Sequence, residues 1–425
     1  MARKMKDSGI EWIGKIPSNY QLIPLKYMAK YNSETLTEST ALNYEFDYVD
    51  IGSVTYGKGI ERYQHMQFKD APSRARRIVK KKDVILSTVR TYLRATASIP
   101  DNEYPIIVST GFLTLTANSN IIPDYLKYAI QYDGFISEVE NRSVGISYPA
   151  INSSDAVKIK IIVPPMDEQE QIANFLDKKC AEIDAISTDI QSQINILEDY
   201  KKSVIFTSLT KGLNGERVKV TDSGVWETIP KSWELKNIKY VFEIVKRIAG
   251  KEGYDILSVT QKGLKVKDIS NNEGQIAESY SGYQFVYPTD YVMNHMDLLT
   301  GWVDCSTMFG VTSPDYRVFR LQDKKKNNLD YFKYLMQCCY MNRIFYSLGQ
   351  GVSNLGRWRL QTSTFLNFKI PVPPFEEQNQ IAKYLEKKCM EIDAVVSEKQ
   401  KQLETLEQYK KSLIYEYVTG KREVL

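Results

Sequence analysis

Residues that could carry acid–base, metal or nucleotide chemistry are few and scattered in this sequence. The two histidines, His65 and His295, stand in unrelated contexts, and the five cysteines form no CxxC pair. This isolation argues against a histidine-based metal cluster or general base, so we interpret both histidines as structural. Residues 9–15, GIEWIGK, nearly spell a phosphate-binding loop, but Ile16 stands where Ser or Thr must reach magnesium. We therefore expect no nucleotide site.

Two further catalytic chemistries have weak support. The GxG fragments at Gly57 and Gly349 follow no βαβ pattern, which leaves a dinucleotide or S-adenosylmethionine pocket without a signal. Both Pro-Pro pairs follow valine, whereas methyl transfer to a DNA amino group would need something like Asn-Pro-Pro-aromatic. Asp315, Asp323 and Lys325 could form a nuclease site on residue type alone, but such triplets are common by chance. A stand-alone nuclease or methyltransferase is the less favoured alternative.

Arginine and lysine instead gather where they could bind a nucleic acid. The densest run is RARRIVKKK at residues 74–82, and three more candidates follow one strand later. Lysine and arginine neutralise phosphates, and arginine matches the acceptor edge of guanine. A solvated turn is the alternative. The first-half candidates are Arg74, Arg76, Arg77, Lys80, Lys81, Lys82, Arg90, Tyr92 and Arg94.

The second half offers a more scattered set, and its lysine run at residues 324–326 has a wet loop as the alternative. Residues 143–155 and 349–360 are rich in Gly, Ser and Asn at matching places in the two halves. Such a composition suits loops whose backbone approaches a ligand closely, although plain surface turns fit as well. The second-half candidates are Lys324, Lys325, Arg343, Gln350, Ser353, Asn354, Arg357 and Arg359.

The elements that must position these residues are written twice in the chain. Residues 163–211 and 372–420 align without a gap, and about half of their positions are identical. The openings also match, with DSGIEWIGKIPSNY at residues 7–20 and DSGVWETIPKSW at residues 222–233. The order is therefore variable block, repeat, variable block, repeat.

Each repeat predicts one long helix. A proline pair and acidic residues mark each start, and Gly212 and Gly420 mark the ends. Apolar residues recur every seven positions, with Lys399 as the one break, which is the spacing of a coiled-coil seam. The predicted helix-pairing residues are Leu176, Ile183, Ile190, Leu197, Val204, Leu385, Ile392, Leu406 and Leu413.

Each predicted helix is too long to pack on its own block alone. About 44 residues at ~1.5 Å each make a rod of roughly 66 Å, longer than a domain of ~150 residues is wide. The other copy is the expected partner. If the halves are related by a pseudo-two-fold axis, the helices pair antiparallel and the variable blocks lie at opposite ends. Each block could then bind one of two unlike DNA half-sites about one turn, ~34 Å, apart.

The variable blocks mix short strand-like and helical runs, so we predict α+β domains. Residues 84–89 and 316–321 read as strands, and residues 124–131 and 330–337 as helices. A last strand, at 157–162 or 365–372, leads into each long helix. The predicted segments are a first recognition domain at 1–163, a helix at 164–212, a second recognition domain at 213–371 and a helix at 372–425.

The bulk composition fits a folded protein of two or three domains. The chain has 425 residues, is 43% hydrophobic and carries a net charge of +4, which is too mild to prove a nucleic-acid partner. An odd number of cysteines and an N-terminal segment without an apolar core favour a cytoplasmic location. No apolar run approaches the ~18 residues that a membrane span needs.

The duplicated motifs resemble those of one family. The DSGIEWIGKIP opening, VPP followed by EQ, QIA, CxEIDA and YKKS, all in two copies, look like the specificity subunit of type I restriction-modification enzymes. The resemblance covers essentially the whole chain, although the variable blocks match only in position and outline. One departure is Thr210-Lys211-Gly212 against Thr419-Gly420-Lys421, which puts the end of the first helix in doubt.

The resemblance implies two target-recognition domains that each read half of a split site in double-stranded DNA. The paired helices would set the unread spacer and dock two modification (methyltransferase) subunits. Those partners would bind S-adenosylmethionine, and further motor-nuclease subunits would use ATP and Mg, so no cofactor, catalytic residue or metal site is expected on this chain. The remaining alternatives are a protein-only coiled-coil scaffold and the DNA-binding scaffold of another defence complex.

Overall fold

The computed structural model describes residues 3–268, 277–351 and 358–424. These residues form two compact units. Unit 1 comprises residues 1–190 with 401–425, and unit 2 comprises residues 191–400. Each unit therefore holds one variable block, the beginning of the long helix that follows it and the end of the other long helix. This division cuts both helices, whereas the segments defined from the sequence keep each helix whole.

Two four-stranded sheets form the variable block of unit 1. The first is antiparallel, in the order Thr96–Ser98, Val84–Ser87, Phe112–Ala117 and Ala29–Tyr31. The second has a parallel central pair, in the order Gln64–Gln67, Glu45–Val49, Ile106–Ser109 and Ala75–Val79. Three further antiparallel pairs are Met5–Asp7 with Lys15–Pro17, Gln21–Pro24 with Lys160–Val163, and Val54–Thr55 with Gly59–Ile60.

Unit 2 repeats the antiparallel sheet of unit 1 and only part of its second sheet. Its antiparallel sheet has the order Phe242–Val245, Arg317–Leu321, Tyr291–Met293 and Val303–Cys305. The second sheet is reduced to the pairs Leu257–Thr260 with Gly263–Val266 and Gln284–Val286 with Gly310–Thr312, joined by a parallel bridge from Ile256 to Val311. The remaining pairs are Val218–Val220 with Thr228–Pro230 and Glu234–Asn237 with Lys369–Val372.

The helices of the described residues are distributed in the same way. Helices α1 (Pro123–Gln131), α2 (Asp133–Asn141), α3 (Ser153–Ala156) and α4 (Met166–Lys211) follow the first sheets. Helices α5 (Leu329–Met341), α6 (Ile344–Ser347), α7 (Thr362–Asn367) and α8 (Phe375–Val418) follow the second set. Short 3-10 turns span Leu25–Tyr27, Ile51–Ser53, Phe68–Asp70, Thr91–Leu93 and Ile238–Tyr240.

The predicted fold class is confirmed, including the helix at 124–131 and the strand at 316–321. The strands predicted at 157–162 and 365–372 were wrong at their beginnings, because α3 and α7 end just before each strand. The observed strands begin only at Lys160 and Lys369. A single helical turn between loop and strand is too short to give a periodic signal in the sequence.

The starts of α4 and α8 are built from the duplicated Pro-Pro and Gln residues. Pro165 and Pro374 offer their carbonyls to the first helical N–H groups, at 2.9 and 3.0 Å. The side chain of Gln169 is buried, donates to the Pro164 carbonyl at 2.9 Å and accepts from the Ile122 N–H at 2.9 Å. Gln378 makes the matching bonds in unit 2. These glutamines fix the helix starts to the loops before α1 and α5.

In unit 1 the beginning of α4 runs antiparallel to the end of α8. Phe175 packs on Tyr417 with ring centroids 4.4 Å apart. Further along α4 and earlier in α8, Lys410 binds both carboxylate oxygens of Asp184 at 2.6 and 2.7 Å. The ammonium also donates to the Gly57 carbonyl at 3.0 Å. The ion pair joins the duplicated EIDA and YKKS motifs across the helix interface.

Unit 2 contains the equivalent pairing. Lys201 binds both carboxylate oxygens of Asp393 at 2.7 Å, and Lys399 donates to the side chain of Gln193. The order of these partners along the two helices again makes them antiparallel. Asp393 and Lys201 occupy the repeat positions of Asp184 and Lys410, so each unit uses the same polar contact.

The predicted helix-pairing residues are buried to different degrees. The most buried are Leu176, Ile183, Leu385, Ile392 and Leu413, while Ile190, Leu197, Val204 and Leu406 are partly buried. Intervening positions complete the seam, and they include Cys180, Ile194 and Cys389. The alternation of three- and four-residue steps gives each helix the two-position stripe of a heptad repeat.

Both long helices stop beside a glycine in the left-handed region. Helix α4 extends to Lys211 and α8 to Val418, and Gly212 and Gly420 both have φ +67°. The glycine after α4 thus follows the helix directly, which settles the end that the sequence comparison left in doubt. In the described part of the chain, no helix combines the length and apolarity needed to cross a membrane.

Candidate nucleic-acid interface

The basic run at residues 74–82 contains a strand, with Arg74 before it and three lysines after it. The strand spans Ala75–Val79, roughly 16 Å long at ~3.3 Å per residue. Arg74 lies beside the turn at residues 109–111, since its carbonyl accepts from the Thr110 N–H at 2.8 Å. Lys80, Lys81 and Lys82 lie at the other end. The fold therefore separates residues that are neighbours in sequence.

The three lysines at the far end of the strand are paired with acids. Lys81 binds Asp101 at 2.6 Å and Lys82 binds Asp124 at 2.8 Å, and Lys80 binds Glu34. The hydrogen bonds to their partners raise the pKa of Lys80 and of Lys82. Because the acids come from distant parts of the chain, sequence reasoning could not detect that these lysines have acidic partners.

The two arginines within the strand, Arg76 and Arg77, point to opposite faces and differ in their surroundings. Arg76 pairs with Glu38 at 3.2 Å and lies over the ring of Phe68. Arg77 points to the opposite face, where its Nε is buried without a hydrogen-bond partner and burial lowers its pKa.

Arg94 makes a two-pronged contact with Glu140, at 2.9 and 2.7 Å, and reaches Asp133 at 3.2 Å. These bonds tie the loop after Val84–Ser87 to helix α2. Each guanidinium nitrogen has a carboxylate partner, so Arg94 acts as a structural residue within unit 1.

Arg74, Arg90 and Tyr92 remain available at one end of unit 1. Among the described residues, neither Arg74 nor Arg90 forms an ion pair, and Tyr92 is exposed. Arg90 adopts a left-handed backbone, with φ 51°, and its guanidinium lies 5.0 Å from the centroid of the Tyr148 ring. Tyr148 belongs to the Gly/Ser-rich loop at 143–155.

Backbone bonds join these loops into one surface. Thr88 donates to the Gly111 carbonyl at 2.8 Å and accepts from the Ile151 N–H at 2.9 Å. Ala150 bridges to both Val89 and Val144. The turn at 109–111, the loop at 88–94 and the hairpin at 144–150 therefore meet at the same end of the sheets.

The second-half candidates are divided in the same way. Lys324 and Lys325 follow the strand end at Leu321, and Lys324 donates to the Thr289 hydroxyl at 2.7 Å. Gln350 and Arg359 exchange backbone bonds of 2.9 and 3.1 Å at the other end of the sheet. Arg343 is exposed beyond α5 with φ 54°. Three candidates, Ser353, Asn354 and Arg357, lie outside the described residues.

The sequence reasoning missed Arg317, a positive group that lies next to the segment bridged to Gln350. Arg317 is only 4% exposed, and among the described residues it has no carboxylate partner. Its guanidinium donates to the Leu360 carbonyl at 3.0 Å and lies 4.6 Å from the Phe365 ring centroid. Burial lowers the pKa of Arg317 to about 10. Strand alternation places Arg317 and Phe319 on one face, a signal that could have identified it.

His295 lies in the same region of unit 2. Its Nδ1 is buried without a hydrogen-bond partner. Burial, and then the positive charges of Arg317 and Arg359, lower its pKa to about 4. The imidazole is therefore neutral at pH 7. Within residues 3–268, 277–351 and 358–424, no group of three or more His, Cys, Asp or Glu side chains is arranged to hold a metal.

The two units share one antiparallel sheet, and each has a backbone bridge at an equivalent place, Val144 with Ala150 and Gln350 with Arg359, so the chain is a duplicated protein. The family model described as "Type I restriction modification DNA specificity domain" matches residues 17–196 and 230–408. These two matches fall on the two blocks and the helices that follow them. The chain belongs to this family.

Relatives and a solved structure agree with that assignment. Over 339 residues the chain is 27% identical to the type I restriction enzyme MjaVIII specificity subunit of Methanocaldococcus jannaschii, with 75% of each chain covered. It is 28% identical over 337 residues to the putative MjaX specificity subunit of that organism, covering 74% of this chain and 72% of the relative. A structure described as "Structural basis underlying complex assembly and conformational transition of the type I R-M system" shares the fold, with a TM-score of 0.70 at 18% identity over 96% of this chain and 99% of that one.

Proposed function

We propose that this chain is the non-catalytic DNA-reading subunit of a type I restriction-modification complex, and that each unit reads one half of a bipartite site. The observation that carries the proposal is the pair of backbone bridges at equivalent positions, Val144 with Ala150 in unit 1 and Gln350 with Arg359 in unit 2. Because the segments between these bridged residues differ in sequence, the two half-sites should differ as well.

Charge balance supports the choice of the hairpin end of unit 1. The lysines at residues 80–82 each have an acidic partner, whereas Arg74 and Arg90 have no ion pair within the described residues. Unpaired cations attract phosphates, and arginine donates two parallel hydrogen bonds to guanine. The hairpin end of unit 1 is thus the end with charge to offer to DNA.

The paired helices offer matched surfaces for two partner subunits. Ile186 and Tyr409 are exposed on the helices of unit 1, and Val395 and Tyr200, their repeat equivalents, are exposed on those of unit 2. Aromatic side chains are enriched at protein interfaces, so the exposed tyrosines are the expected centre of each contact surface. Two equivalent patches fit two copies of a modification subunit.

The helices are also the proposed ruler for the unread base pairs. The ion pairs Asp184–Lys410 and Asp393–Lys201 oppose sliding of one helix along the other. Removing one helical turn from both repeats should therefore shorten the unread gap in the recognised site. An unchanged gap would show that the helices do not set the spacer, while the proposed recognition role would still stand.

Catalysis and cofactors are assigned to the partners in this proposal. S-adenosylmethionine would be bound by the modification subunits, and ATP and Mg by motor-nuclease subunits. The rival candidates are an enzyme in its own right and a scaffold without DNA affinity. The free arginines at one end of unit 1 favour DNA binding over the scaffold.

One experiment separates these candidates. The chain would be produced with its cognate modification subunit, incubated with genomic DNA and S-adenosylmethionine, and methyladenine mapped by long-read sequencing. Two unlike half-sites around a fixed gap are the expected result. Methylation without the partner would make this chain an enzyme, and no methylation with an active partner would favour the scaffold.

A further inference from the structure

The hairpin at residues 144–150 of unit 1 presents apolar side chains to solvent. Val144 is 81% exposed, Ile146 is fully exposed and Tyr148 is 66% exposed. The ribbon is held by two backbone bonds between Val144 and Ala150, at 2.8 and 3.0 Å. Gly145 makes the turn with φ +118°, and a Cβ there would lie 3.1 Å from the Tyr148 carbonyl oxygen. The apolar tip is therefore part of a defined turn.

Exposing these side chains costs stability that a partner would recover. Removal of apolar side chains from water is favourable, so three exposed apolar residues on one hairpin point to a surface that is covered in the functional complex.

The neighbouring charges indicate the chemistry of that partner. The hairpin at 144–150 and the loop at 88–94 contain no acidic residue. The Arg90 guanidinium lies over the Tyr148 ring, and within the described part of the chain it forms no ion pair. The contact with the ring restricts the guanidinium, which reduces the entropy lost when its N–H groups bind an acceptor. An anionic surface that also offers apolar contacts matches a groove of DNA.

The dimensions favour the major groove. A two-stranded ribbon is accommodated in the major groove, ~12 Å wide, but not readily in the minor groove, ~6 Å wide. The major groove also carries the guanine O6 and N7 acceptors for arginine and the thymine methyl for an aliphatic side chain.

Resting on the proposed function, we infer that this hairpin and Arg90 form the base-reading element of unit 1. The hairpin enters the major groove, Arg90 donates to the O6 and N7 of a guanine, and Ile146 contacts a thymine methyl group. Tyr148 is a positioning residue that orients Arg90.

The test uses the complex of the full chain with its modification subunits and a duplex carrying the mapped site. Replacing each guanine of the unit 1 half-site by 7-deazaguanine removes the N7 acceptor, and replacing each thymine by deoxyuridine removes the methyl. The wild-type complex should lose affinity ~10-fold or more at one guanine. A loss of ~2- to 5-fold is expected at one thymine.

The variants then assign those positions to residues. Arg90→Ala should become insensitive to 7-deazaguanine at that guanine, and Ile146→Ala insensitive to deoxyuridine at that thymine. Tyr148→Ala should weaken the guanine effect without removing it. Lys81→Ala is the matched control. Lys81 is also exposed but follows the strand Ala75–Val79 at the end away from the hairpin, so this variant should behave as the wild type.

The outcomes separate this inference from the proposed function. If the wild-type complex recognises a bipartite site but Arg90→Ala and Ile146→Ala keep its full base sensitivity, the reading element is wrong and the function stands. A unit 1 half-site without any guanine on either strand would also overturn it. If the wild-type complex recognises no site, the proposed function itself fails. Thermal unfolding of each variant confirms that these exposed substitutions leave unit 1 folded.

Discussion

Gly420, where the end of α8 meets the opening segment of unit 1, should not tolerate a side chain. A Cβ at this position would lie 2.5 Å from the Pro17 Cγ and 2.7 Å from the Tyr20 ring. Pro17 and Tyr20 are part of the buried opening, so neither can move without disturbing the core. The φ of +67° adds a backbone penalty for any L-residue.

The two costs can be estimated separately. Placing alanine in the left-handed region costs roughly 1–2 kcal/mol. Forcing a methyl into a packed site costs a further ~1–3 kcal/mol. Gly420→Ala should therefore lower the free energy of unfolding of unit 1 by about 2–5 kcal/mol.

Gly14 is a matched control in the same unit. It has the same φ, +67°, and a Cβ there would meet nothing within 4 Å. Gly14→Ala should thus show the backbone cost alone, about 1–2 kcal/mol. The measurement is urea unfolding of the full chain followed by tryptophan fluorescence and circular dichroism. Equal losses for the two variants would refute the contact with Pro17 and Tyr20.

Three further predictions follow from the described contacts. A double-mutant cycle on Lys201→Ala and Asp393→Ala should give a coupling energy of about 1 kcal/mol in urea unfolding, and additive single effects would show that the pair does not fix the helices. The pKa of His295 falls from 6.5 to about 4 in the folded chain, so the unfolded chain takes up the proton first. Stability should be full above pH 6.5 and decline as the pH falls towards 4, and His295→Gln should remove that part of the decline; parallel pH profiles for the two proteins would contradict it. Tyr200→Lys should weaken binding of the modification subunit ~10-fold or more, measured by calorimetry, whereas Gln402→Lys, an exposed helix control, should not.

Much of the fold could be predicted because the repeats carry strong local signals. A heptad stripe over more than 40 residues, proline pairs at the starts and glycines at the ends leave little freedom for α4 and α8. No comparable local pattern in the sequence indicates the strand order of the blocks. In unit 2 the second sheet depends on a single bridge between Ile256 and Val311, which no periodicity foretells.

The candidate interface was only partly accessible to sequence reasoning. Arg90 and Tyr92 were named as DNA-binding candidates and stay predictions, whereas the exposed Ile146 and Tyr148 were not named as candidates. Arg94 was placed with the DNA-binding residues, although it is held by Glu140 and Asp133. Composition marks where cations are dense, and it cannot show which of them have an acid nearby.

The sequence by itself determined the duplication, the long helices, the α+β character of the blocks and the family. These properties depend on local periodicity and on motifs that are contiguous in the chain. Tertiary structure alone decided that EIDA pairs with YKKS in each unit. It also decided that Lys80 to Lys82 have acidic partners while Arg74 and Arg90 form no ion pair with any residue that the structure describes. The physical reason is that an ion pair forms between residues close in space, and the acids concerned come from distant segments that only the packed sheets and helices bring together.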